Sequence, residues 1–253
     1  EDYDDGNGNE SDPDIAYCDI VQCPTLCDVG VCPAARKLTD DGAFQFNPTL
    51  AGNYAAWEDL RNGNLDIYAY QLSTNTELQI TNEFEHQLDA ALAGTLVVWT
   101  DPRNGFGNDD LYGFDLATRT ETQLTSALGS QYDAATNGNL IVFEDDRNVQ
   151  KDIYLFDGTT FVERKLSSTT ADQTHPTLSG TGAAARVVWH DNGDPILYDP
   201  FLSFGPEQQF STVMISAASP GYMPQISGDK VIFTKQVSSS VYYGDFIQVY
   251  TIS

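Results

Sequence analysis

Histidine, cysteine and positive charge are all scarce in this chain. It has three histidines, His86, His175 and His190, which gives a Ser-His-Asp arrangement few candidates. There is no Gly-x-Ser-x-Gly, no His-Glu-x-x-His and no glycine-rich phosphate loop. No catalytic residue is nominated, and a non-enzymatic protein is expected. Lys and Arg number 12 against 37 Asp and Glu, a formal net charge of −25. Such self-repulsion excludes nucleic acid and anionic membranes as partners and favours cations, basic partners or a salty habitat. No apolar run reaches the length of a membrane span.

Cysteine is confined to one window as Cys18, Cys23, Cys27 and Cys32. An even, clustered count points to two disulfides in an oxidising compartment, with three pairings open. The intervening gaps of four, three and four residues do not suit the Cys-x2-Cys pairs usual for zinc, the rival reading. No Cys-x-x-Cys-His occurs, so covalent haem attachment is unsupported. With Glu rather than Met first and no signal peptide, the expectation is a processed, exported product at the cell surface or outside it.

Residues 1–35 carry nine acids and no Lys or Arg. They read as an acidic, disulfide-stapled extension, followed by a second domain at 36–253. Asp5, Asn7 and Asn9 fall at alternating positions with Asp12 next, an oxygen-rich set suited to Ca2+. The match to a calcium loop is partial, since Glu10 stands where an EF-hand has Gly. Docking of this segment on other copies of the chain, building a filament or similar assembly, is the alternative. Asn9-Glu10-Ser11 is also a glycosylation sequon.

What the chain has in abundance is repetition. Trp57–Tyr68 (WEDLRNGNLDIY) returns at Trp99–Tyr112 and Phe143–Tyr154, and in eroded form at Trp189–Tyr198. Each copy reads as two strands joined by a polar turn, and a fixed period of this size means stacked modules. Alignment gives four strands per module. The innermost read QFNPTLAG, QLDAALAG, QYDAATNG, QTHPTLSG and GYMPQISG, and the outermost ELQIT, ETQLT, ERKLS and EQQFS. Five first strands meet four fourth strands, and Ala35–Thr39 (ARKLT) has the missing pattern. The expected fold is therefore all-β, a five-bladed β-propeller closed by its N-terminal strand.

The repeat resembles the TolB-like, WD40-like (PD40-type) propeller repeat of exported proteins across about residues 36–253. Its usual Ser-Pro-Asp-Gly turn is replaced here by Ala-Gly-Asn, Asn-Gly-Asn or Ser-Gly-Asp. The resemblance implies the fold; the function has to come from the surfaces of this chain.

Equivalent aromatics in every module (Trp57, Trp99, Phe143, Trp189, Phe233) are expected to pack between blades. The pairs Asp59/Arg61, Asp101/Arg103 and Asp145/Arg147 recur in the same way and are expected to be architecture. One position differs from module to module, reading Asn47, Asp89, Asp133, His175 and Met223. If it faces the axis, Asn47, Asp89, Asp133 and His175 form a channel ring, with Asp89 and Asp133 as metal-ligand candidates, again for Ca2+. A water-bridged structural ring is the alternative. The expected role is thus a structural or interaction subunit with protein partners, other copies of itself included. A glycan-binding or glycan-hydrolysing channel, using Asp89 with Asp133, is the second reading.

Overall fold

The computed structural model describes residues 37–167, 170–194, 197–204, 211–214, 221–238 and 243–251. Chain contacts divide the protein into Glu1–Asp41 and Gly42–Ser253. Of the first unit only residues 37–41 are described, so Cys18, Cys23, Cys27 and Cys32, and Asp5, Asn7, Asn9 and Asp12, lie outside the described residues.

The second unit is built from antiparallel meanders. Sheet I holds β1 (Gln45–Ala51), β2 (Tyr54–Asp59), β3 (Asp66–Gln71) and β4 (Thr76–Gln79). Sheet II holds β5 (Leu88–Ala93), β6 (Leu96–Asp101), β7 (Asp110–Asp115) and β8 (Thr120–Gln123). Sheet III holds β9 (Gln131–Thr136), β10 (Leu140–Asn148), β11 (Gln150–Asp157) and β12 (Val162–Lys165). Sheet IV holds β13 (Gln173–Ser179), β14 (Arg186–Asp194), β15 (Leu197–Phe204) and β16 (Ser211–Met214). Sheet V holds β17 (Gly221–Ser227), β18 (Lys230–Ser238) and β19 (Tyr243–Thr251). Lys37–Thr39, the described part of the expected closing strand, is in no strand. Lys37 there meets Asp40 at 3.5 Å.

Neighbouring first strands pack in chain order, β1 beside β5, β5 beside β9, β9 beside β13 and β13 beside β17. Sheets stacked face to face bury both sides of their middle strands. Hence Ala55–Asp59 and Val97–Asp101 are buried throughout instead of alternating. In sheets I, II and V the first and second strands meet in two-residue turns. Gly94 takes φ +60° between Ala93 and Leu96, the positive angle that lets a short turn follow the twist of its strands.

The repeated aromatic tie adjacent sheets together, as expected. Trp99 of β6, fully buried, packs with Ala56 and Ile67 of sheet I. Phe143 of β10 joins Val98 and Leu111 of sheet II, and Trp189 of β14 joins Val142 and Ile153 of sheet III. Within each sheet the same ring lies against the tyrosine of the third strand, at 6.2 Å for Trp57/Tyr68, 6.3 Å for Trp99/Tyr112 and 6.0 Å for Phe143/Tyr154.

The Asp-x-Arg pairs are architecture. Asp59, fully buried, accepts from Trp57 Nε1 at 3.0 Å, the Arg61 backbone N–H at 3.0 Å and Arg61 Nη2 at 2.6 Å. The Arg61 guanidinium lies 4.1 Å from the Tyr68 ring centre. Asp101/Arg103 repeats the arrangement, and Asp145/Arg147 keeps the Arg contacts and the stacking on Tyr154. Burial pushes the Asp59 carboxyl up, but the hydrogen bonds from Arg61 and Trp57 outweigh it and hold it below the ordinary Asp value.

A second buried carboxylate series, not foreseen from the sequence, lies at or near the start of the third strands of sheets I, II and III. Asp66, Asp110 and Asp152 accept from Asn62, Asn104 and Asn148 in the preceding turn, and from Thr81, Thr125 and Ser167 after the fourth strand. Asp110 is raised by burial that its neutral donors do not offset. Asp152 is buried as well, yet Lys165 donates to it at 2.7 Å where sheet II has Gln123, and its pKa is lowered.

Candidate functional site

The varied position of the first strands has one backbone solution. Asn47, Asp89, Asp133 and His175 take φ of 47°, 56°, 50° and 54°. Each sits at a break in the pairing of the first strand with the second, between Phe46 and Thr49, Leu88 and Ala91, Tyr132 and Ala135, and Thr174 and Thr177. The same break recurs at Tyr222 and Gln225, around Met223. These are β-bulges, which bend a strand and re-aim one side chain. Asn, Asp and His are the residue types that best tolerate left-handed backbone, so the pattern read in the sequence as a ring is first of all a conformational requirement.

The bulge brings the ring against a second polar layer, which the sequence reading missed. In the second strands the residue between the aromatic and the Asp reads Glu58, Thr100, Glu144 and His190, all buried. Asn47 donates from Nδ2 to Glu58 Oε1 at 3.0 Å, and the same oxygen accepts the backbone N–H of Asp89 in the next sheet at 2.8 Å. Glu144 repeats the bond across sheets, accepting the His175 N–H at 2.8 Å. A polar residue inside an otherwise buried second strand was the available signal. Its regular place beside the recurrent Asp concealed it.

Asp133, Glu144 and His175 come together, each offering a ligand atom within 4.8 Å of the others. Asp133 is half-buried, Glu144 buried and His175 exposed. The Lys151 amine meets Glu144 Oε2 at 3.0 Å and lies 4.8 Å from the centre of the Tyr132 ring. Burial, then the hydrogen bond and charge of Glu144, push the Asp133 carboxyl up to about 6. Asp89 is raised by burial and by the charges of Asp133 and Glu58. The charge of Asp133 thus reaches Asp89, and His175 lies beside Asp133. Asn47 is bound to Glu58. The His175 and His190 rings lie 6.4 Å apart, and burial with the neighbouring His175 lowers His190 to about 4. Gln45, Gln87, Gln131 and Gln173, two residues before the ring position, each donate to the carbonyl two residues earlier and brace the strand entrance.

Around the start of the first strands runs a belt of loops joined by hydrogen bonds. Asn64 donates to the Glu83 and Glu85 carbonyls, Arg103 Nη1 reaches Glu83 at 3.6 Å, the Asp109 N–H donates to Ser130, and the Ser130 N–H to Asp146. Gly129, at φ +91°, lies so close to this neighbour that a Cβ would sit 2.7 Å from Asp146 Oδ1. The belt carries large apolar side chains pointing to solvent: Phe84 is 90% exposed, Leu128 85%, and Phe106 and Val149 fully.

Sheets that stack around recurrent first strands are also what comparison with solved structures finds. TolB from Acinetobacter baumannii aligns over 85% of this chain and 53% of its own, with TM-score 0.60 and 19% identity. A TolB-like protein of Agrobacterium tumefaciens aligns over 85% and 80%, with TM-score 0.61 and 17% identity. The chain has the TolB-like β-propeller fold. This chain spans about half the length of the first of those proteins. An oligogalacturonate lyase in complex with manganese shares the fold over 85% of this chain and 64% of its own, at TM-score 0.58 and 14% identity. Identities this low establish the fold alone, and the TolB-like propeller fold carries more than one activity. No protein-family profile matches the sequence, and no curated protein matches it. Among the described residues no helix is long and apolar enough to cross a membrane.

Proposed function

We propose that this chain is a non-enzymatic binding propeller of five blades, part of an exported protein, which docks a protein partner on the loop belt around the start of its first strands. The observation that carries the reading is the set of four solvent-facing apolar side chains, Phe84, Phe106, Leu128 and Val149, on loops that hydrogen bonds and the Arg103–Glu83 ion pair link to one another. Exposed apolar groups of this size, held on ordered loops, mark interaction sites. The same loops carry Glu83, Glu85, Asp109 and Asp146, and the whole chain has a net charge of −25. The partner surface that fits is apolar with Lys or Arg at its edge. A second copy of this chain would bring like charge to the same face, so a different protein is the better occupant.

The test is selection of peptides from a random displayed library against the wild-type propeller, with counter-selection on Phe84→Ser/Phe106→Ser/Leu128→Ser/Val149→Ser. Binders rich in aromatic and basic residues, lost on the variant while its melting temperature holds, are expected. Binders indifferent to the four substitutions would place the interaction elsewhere and refute the reading.

A further inference from the structure

We propose that Asp133, Glu144 and His175 form a binding site for a divalent first-row transition ion, of the Mn2+ or Zn2+ class. The three come from different places in the chain, the β9 bulge, the middle of β10 and the β13 bulge of the next sheet, and converge within 4.8 Å. Two carboxylates and an imidazole are a donor set that hard, oxygen-seeking Ca2+ does not select and that Mn2+, Fe2+ or Zn2+ does. The sequence expectation of Ca2+ at Asp89 and Asp133 therefore changes in both partners and metal.

The ligands are held by the fold. The Glu144 position is fixed by the His175 N–H on Oε1 and by Lys151 on Oε2, and each carboxylate oxygen keeps a further lone pair for a metal. Asp133 and His175 are aimed by bulges of the same left-handed geometry, so the backbone does not reorganise to bring them in. Asp133 and Glu144 bring two carboxyl groups within 4.8 Å of each other, an arrangement that one positive ion between them relieves.

Lys151 is the opposing element. Its amine occupies part of the Glu144 field and carries the same sign as the metal, so it lowers affinity without blocking the imidazole or Asp133. The site thus admits an ion in exchange for partial release of a lysine that is already 40% exposed.

Mn2+ is the probe of choice, because the thiols of residues 18–32, if reduced, would compete for Zn2+ far better than for Mn2+. Loss of the free-ion electron paramagnetic signal is titrated at about 0.15 M salt, which screens weak binding to the acidic surface. One saturable site per chain is expected. His175→Asn and Asp133→Asn keep a residue type that tolerates the bulge; each should weaken the site at least about 10-fold, with melting temperature in chelator unchanged. Lys151→Gln should tighten it. The proposal is overturned if the wild-type protein shows no saturable site. It is equally overturned if both Asn variants bind as wild type, or if equimolar Ca2+ displaces Mn2+.

Discussion

Replacing Arg61 with Met tests the buried Asp-Arg clamp more sharply than any other single change. In the folded protein Asp59 has no exposed side-chain surface, and the Arg61 side chain retains 18%. The substitution removes the 2.6 Å bond from Nη2 and leaves the carboxylate with the Trp57 and backbone N–H donors alone. Breaking a buried pair by deleting one partner costs about 3–5 kcal/mol. The residual exposure of Arg61 argues for the lower end, and loss of its cation–π contact with Tyr68 adds about 0.5–1 kcal/mol. The expectation at neutral pH is thus a loss of about 3–4 kcal/mol in urea unfolding. The sign with pH provides the discriminating result. In the wild type Asp59 sits below its unfolded value near 3.9, so its contribution is present above that value and is lost as pH falls through the folded pKa. In the Met variant burial is no longer outweighed and the folded pKa rises above the unfolded one. Its penalty is then largest at neutral pH and shrinks as acid protonates it. The gap between the two proteins should therefore narrow as acid protonates the variant's carboxyl on the way down to about pH 4, and go on narrowing below it as the wild-type Asp59 loses its own contribution. A gap below about 1 kcal/mol, or one flat with pH, would refute the account and place the pair among surface salt bridges of small worth. Glu77→Gln, which alters only the exposed contacts of Arg61 at 2.6 Å and 3.4 Å and leaves the 2.6 Å bond to Asp59, is the control and should cost less than about 1 kcal/mol.

Trp99→Ala should cost about 3–5 kcal/mol, because a fully buried side chain shared by two sheets leaves a cavity that neither can fill; calorimetry at fixed pH measures it. Gln123→Lys should bring Asp110 to the state Asp152 has beside Lys165, lowering its carboxyl and stabilising the protein by about 1 kcal/mol at neutral pH. That gain should vanish below about pH 4, and a gain that persists there would show the lysine acting by packing instead. Asp89→Val should lower the melting temperature while Asp89→Asn leaves it near wild type, since a β-branched residue pays about 1–2 kcal/mol for left-handed backbone; equal effects would mean that φ is not the constraint.

The repeat made most of the fold legible. Aromatic, Asp and Tyr recur at fixed places because every sheet must present the same face to its neighbour, so Trp99, Phe143 and Trp189 could be assigned to the space between sheets from spacing alone. The strand positions followed for the same reason. Asp66, Asp110 and Asp152 escaped notice because an Asp opening a third strand looks like ordinary turn polarity until Thr81, Thr125 and Ser167 are seen to close over it. The site was half readable. Asn47, Asp89, Asp133 and His175 stood out because each is a polar residue directly before the Pro or Ala of its first strand. Glu58 and Glu144 did not, because a carboxylate next to a recurrent Asp is indistinguishable in sequence from part of the turn. That Glu144 meets His175 of the following sheet depends on how two sheets pack, and no short-range pattern records it.

The bulge shared by the first strands has a consequence for how such a protein can change. Its left-handed residue is placed by the backbone of its own sheet, and the chain already holds Asn, Asp and His there without altering the strand around them. Each sheet therefore works as a socket of common shape with an exchangeable plug, and one position can be traded without disturbing the others. Chemistry at this position can drift from neutral to acidic to imidazole by single substitutions while the scaffold stays as it is.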